Sequence, residues 1–178
     1  MMTTWPRKPE REQSEIEGFI AAYARLPDSR HFEVVSKGET PDYVVRDVRS
    51  GEEVGVELTS VYLDDRSVPD VHMRDDDGPV EIREDEQELE RYRNRLVGAI
   101  LDKICKARKG YDRARSLILA IYVNEYVSMY LREAAELQAF VKRYDGLFEA
   151  MTPFCEVVFW NLPNDGVLRA RPSSRRGR

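Results

Sequence analysis

At 178 residues the chain suits one domain able to bury a core, whereas two independent domains would each be small. Its 42% hydrophobic and 34% charged residues match a water-soluble globular protein, and no apolar run approaches the roughly 20 residues that span a bilayer. The net charge of −5 speaks against a nucleic-acid partner only as an average: residues 63–90 carry twelve Asp and Glu against three Arg, whereas residues 91–115 carry nine Lys and Arg against two Asp, so a basic face remains available.

In chain order, "SEIEGFIAAYARL" sets Ile16, Phe19, Ile20 and Tyr23 at helical spacing, with Ser14 as an N-cap and Pro27 shortly past the end. Three strands follow, "HFEVVS", "DYVVRDV" and "EVGVELTSVY", and the "RSGE" turn makes the last two an antiparallel hairpin. An acidic stretch at about 63–86 has two Pro, one Gly and no sustained periodicity, and reads as an inserted loop. Helical periodicity returns through Leu89, Leu96, Val97, Ile100, Ile104 and Ala107, with Gly110 as the stop. "SLILAIYV" is the continuous apolar run of a strand covered on both faces, residues 129–145 form another amphipathic helix, and "FCEVVFWNL" is the last strand. Residues 161–178 are expected to be a basic, disordered tail behind one domain over 1–160. The order of elements predicts an α/β fold, a three-layer α/β/α arrangement around a mixed sheet of four to five strands.

The sequence lacks several familiar devices. Its start, "MMTTWPRKPEREQ", has no signal-peptide apolar core, so a cytoplasmic location with no membrane partner is the expectation. Cys105 and Cys155 form no CxxC, and are expected to be reduced and buried. His31 and His72 are the only histidines, and GxSxG, GxxxxGK[ST] and GxGxxG are all missing. The second Pro-Asp pair, Pro69-Asp70, has no strands beside it, and "RDDDGPVEIRE" does not fit an EF-hand loop.

Glu57, in "VGVEL", is the residue most in need of explanation, because a bare carboxylate buried on an apolar strand costs several kcal/mol. Asp42 opens the preceding strand after Pro41, and hairpin pairing lets the two carboxylates converge on one side of the sheet. Period-two alternation puts Gly55, Glu57 and Thr59 on the same face. Hard carboxylate oxygens at such a place suit Mg2+ or Mn2+, which would polarise a phosphoryl oxygen and acidify a bound water. The chemistry expected is metal-assisted cleavage of a nucleic-acid backbone.

Pro41-Asp42, about fifteen residues, then Glu57-Leu58-Thr59 on a hydrophobic strand, with a helix before and a basic helix and strand after, resembles the PD-(D/E)xK superfamily of restriction-endonuclease-like nucleases. The resemblance covers roughly residues 14–123. It implies a restriction-endonuclease-like core, with Asp42 and Glu57 as metal ligands and a lysine two positions after the Glu serving the attacking water. Here that position holds Thr59, which has no charge to offer. In some members the lysine comes from the following helix, and Lys103, at the border of the buried stripe and about 100° from Ile104, is the best placed. A further carboxylate often comes from the first helix, where Glu15 and Glu17 flank the apolar stripe on opposite sides and the sequence does not choose between them. The resemblance further implies nucleic acid as partner, DNA ahead of RNA, with Arg91, Arg95, Lys106 and Lys109 offering phosphate contacts, and a homodimer as in many relatives. The alternative is a nuclease-like fold that binds nucleic acid or a protein without cutting.

Overall fold

The computed structural model describes residues 8–61, 86–111, 114–123, 134–162 and 165–172. His72 and all but the last residue of the stretch read as an acidic loop lie outside them. The elements are α1 (Lys8–Tyr23), β1 (Phe32–Lys37), β2 (Tyr43–Asp47), β3 (Glu53–Val61), α2 (Glu86–Gly110), β4 (Ser116–Val123), α3 (Ala134–Arg143), α4 (Asp145–Glu149), β5 (Phe154–Leu162) and β6 (Gly166–Ala170).

The six strands form one mixed sheet in sequence order, β1 to β6. β1–β2–β3 is an antiparallel meander, β3–β4–β5 is parallel, and β6 returns antiparallel to β5. The β2–β3 turn is fixed chemically: Asp47 accepts from the Arg49 amide and the Ser50 hydroxyl, and Gly51 takes φ 75°, a left-handed conformation that glycine adopts at little cost.

The two parallel connections, through α2 and through α3 with α4, step in the same direction across the sheet, so crossovers of one hand put all three helices on one face. There Leu96, Ile100, Ile104 and Ala107 of the predicted stripe, joined by Tyr92 and Tyr111, pack on Leu117, Leu119 and Ile121 of β4 and Val157 and Phe159 of β5. α1 covers the other face, setting Ile16, Phe19 and Tyr23 on Tyr43, Val56, Ile118 and Val158. Each such aliphatic or aromatic side chain contributes roughly 1.5–3 kcal/mol on burial, so both faces of β4 hold the molecule together.

Four expectations change. Helix α1 begins at Lys8, so Ser14 lies inside the helix rather than capping it. The sheet has six strands rather than four to five, because Gly166–Ala170, inside the segment read as a tail, pairs with β5 through Val158–Arg169 and Phe159–Leu168. Of the helix expected over 129–145, residues 129–133 lie outside the described residues, Ala134–Arg143 form α3, and a separate short α4 starts at Asp145. Cys105 and Cys155 are free as expected, but both are exposed rather than buried.

Candidate functional site

The site begins at a tight meeting of β3 with the segment that enters β2. Pro41 is buried against Gly55, where a Cβ would stand 2.7 Å from Pro41 Cγ and 2.5 Å from Leu117 Cδ2. Only glycine allows this approach, and it fixes the residue that follows Pro41. The β2–β3 ladder is described from Arg46–Glu53 to Tyr43–Val56. Just past it, the Leu58 amide donates to Asp42 Oδ2 at 2.8 Å, so a side-chain carboxylate takes over where the backbone ladder stops.

Glu57 lies on β3 beside Leu119 and faces the α2 layer, only 3% exposed. Lys103 of α2 reaches it: Nζ lies 2.6 Å from Glu57 Oε1 and 3.1 Å from the Leu58 carbonyl. The backbone of Leu58 is therefore held on both sides, its N–H by Asp42 and its C=O by Lys103. Lys103 is itself half-buried, which strengthens its pairing with Glu57 relative to a surface ion pair.

Charge is concentrated here. The Asp42 carboxyl is pushed above the ordinary range, first by burial and second by the neighbouring Glu57 carboxylate, against the pull of the Leu58 amide and Lys103. The Tyr111 phenol, just past the end of α2, is also pushed up, by burial and then by Glu57. Glu57 Oε2 is buried without a well-formed hydrogen bond. One carboxylate oxygen is thus tied down on each acid, Asp42 Oδ2 and Glu57 Oε1, while Glu57 Oε2 lacks a hydrogen bond of good geometry and the Tyr111 hydroxyl stands close to the same carboxylate.

Of the residues the sequence singled out, Asp42, Glu57 and Lys103 come together. Thr59 is half-buried and pairs with Ile121, on the same face as Glu57. The two helix acids differ: Glu17 is exposed and accepts from Gln13 at 2.6 Å, whereas half-buried Glu15 acts electrostatically on Tyr43, next to Asp42. Glu12, one turn before Glu15, was not singled out, yet its charge reaches Asp42 and it pairs with Lys37. Tyr111 was given no part in the site, although Lys103, Ala107 and Tyr111 share the four-residue spacing of one helix face. Arg91, Arg95, Lys106 and Lys109 are exposed on α2, with Lys106 3.8 Å from Asp102.

Among the described residues no three His, Cys, Asp or Glu side chains form a ready metal cage. The donors present suit a hard cation that keeps much of its water: two carboxylates, with a buried oxygen on Glu57 that has no well-formed hydrogen bond and the Tyr111 hydroxyl nearby. Compared with models of known protein families, with curated proteins and with solved structures, the chain matches none.

Proposed function

We propose that the protein is a metal-dependent nuclease with a restriction-endonuclease-like core, hydrolysing phosphodiester bonds of DNA or RNA at Asp42, Glu57 and Lys103. The observation that carries this reading is the delivery of Lys103 from α2 to Glu57 at 2.6 Å, beside Asp42. A lysine from the helix supplies the positive charge that Thr59 cannot.

Asp42 would hold Mg2+ or Mn2+ through Oδ1, since Oδ2 is occupied by the Leu58 amide, and Glu57 through Oε2, since Oε1 is occupied by Lys103. A bound divalent cation supplies Lewis acidity and a water of lowered pKa. The protein's own groups do the rest. Glu57 and the Leu58 carbonyl hold the Lys103 ammonium by two of its three protons, leaving the third to orient a water or steady charge on a phosphate oxygen. Thr59, on the same face, can add a hydroxyl contact. Arg91, Arg95, Lys106 and Lys109 would bind the backbone, and that affinity should fall steeply with salt.

A second reading, a nuclease-like fold that binds without cutting, is favoured by the ion pair that already neutralises Lys103 and by the want of a third ligand among the described residues. Cleavage of labelled DNA and RNA in Mg2+ or Mn2+ separates the two. Catalysis predicts turnover in the wild type and its loss, by on the order of a hundredfold or more, in Asp42→Ala and Glu57→Ala. Salt-dependent binding with no turnover in any of the three selects the second reading.

A further inference from the structure

A second buried carboxylate, on the opposite face of the sheet from Glu57, organises an arginine cluster. Glu156 of β5 is 1% exposed. Its Oε1 accepts from the Tyr23 hydroxyl at 2.5 Å and from Arg30 Nη2 at 3.5 Å, and its Oε2 accepts from Arg171 Nε at 3.0 Å. Arg169 Nε lies 3.8 Å from the same oxygen.

One carboxylate needs one cation, and three guanidiniums surround this one. The only other acid paired into the cluster among the described residues is the exposed Glu52, 3.7 Å from Arg30 Nη1. The excess positive charge is held rigidly. Arg169 donates from Nη2 to the Pro27 carbonyl at 2.9 Å, while its Nη1 is buried with no hydrogen-bond partner. Arg30 is steadied over the Phe32 ring, 5.1 Å from its centroid. Arg171, half exposed, carries the cluster to the surface. Planar guanidiniums fixed in place, with N–H groups left over, match the oxygens of a phosphate in charge and geometry, and the prior fixing lowers the entropy lost on binding.

We propose that Arg30, Arg169 and Arg171, oriented by Glu156, form an anion site for a phosphate group, separate from the Asp42–Glu57 site and independent of any nuclease activity. The phosphate comes either from a small phosphate compound or from a nucleic-acid backbone. Glu156 and Tyr23 act as positioning groups that aim the guanidiniums and do not meet the ligand.

The test is calorimetric titration of the full chain with inorganic phosphate and, separately, with a single-stranded oligonucleotide, for the wild type, Arg171→Gln, Arg30→Gln and Asp42→Asn. Saturable phosphate binding is expected in the wild type and in Asp42→Asn, weakened at least about tenfold in both arginine variants, with their folding verified by circular dichroism. A parallel loss of oligonucleotide affinity in those variants assigns the site to a nucleic-acid backbone, and unchanged oligonucleotide affinity assigns it to a small phosphate compound. No saturable phosphate binding by the wild type, or equal affinity in folded Arg171→Gln and Arg30→Gln, overturns the proposal. Failure of the nuclease assay leaves these outcomes unaffected.

Discussion

Lys103 and Glu57 are the pair whose removal should be felt most. Lys103→Met leaves a carboxylate buried without its cation and should cost about 3 kcal/mol of stability in denaturant unfolding. Lys103→Met combined with Glu57→Gln should recover much of that loss, because a neutral amide needs no counter-charge. Asp42 gives a dependence on pH of known sign. Its folded-state proton is held more tightly than in the unfolded chain, so its contribution is present below its ordinary value of 3.8 and lost as pH rises through the raised folded value. Asp42→Asn, which keeps an acceptor for the Leu58 amide, should therefore melt higher than the wild type near neutral pH, the difference closing in acid. A wild type that melts higher than Asp42→Asn at neutral pH would contradict this assignment. At this scale the sequence was informative where one residue broke a pattern. Glu57 stood out in "VGVEL", and once the resemblance pointed to a lysine on the following helix, the buried stripe singled out Lys103. The same logic applied to "FCEVVF" identifies Glu156, which was passed over because no second motif drew attention to it.

Among the elements, the meeting of β3 with the entry to β2 holds the site together. Gly55→Ala should destabilise the fold by about 1–3 kcal/mol through overpacking on Leu117 and Pro41. Because Pro41 precedes Asp42, the same variant should weaken Mn2+ binding more than a surface substitution of equal thermodynamic cost, as paired melting and calorimetric titrations would show. The hairpin, the long α2 and the buried β4 were legible because each carries a strong period or an unbroken apolar run with clear stops. β6 was not. Its "GVLRA" is short, and Arg169 and Arg171, which read as tail chemistry, turn out to be the counter-charges of Glu156. Partner choice across the sheet decided its structure, and that is tertiary information.

For the whole molecule, the order of elements was enough to give an α/β sheet with helices on both faces, but not its edge. Truncation after residue 164 should be costly, about 3–5 kcal/mol, since it strips Ala170 from the core and two guanidiniums from a buried carboxylate. A truncated chain that melts with the full one would refute that role for β6. The fold brings β2, β3 and α2 to one point, the place proposed above for a divalent cation. The most direct measurement is anomalous scattering from a crystal soaked in Mn2+. An ion bound by both Asp42 and Glu57, near Lys103, is the predicted result. Full Mn2+ exposure with no ion there and the Lys103–Glu57 contact intact would contradict it.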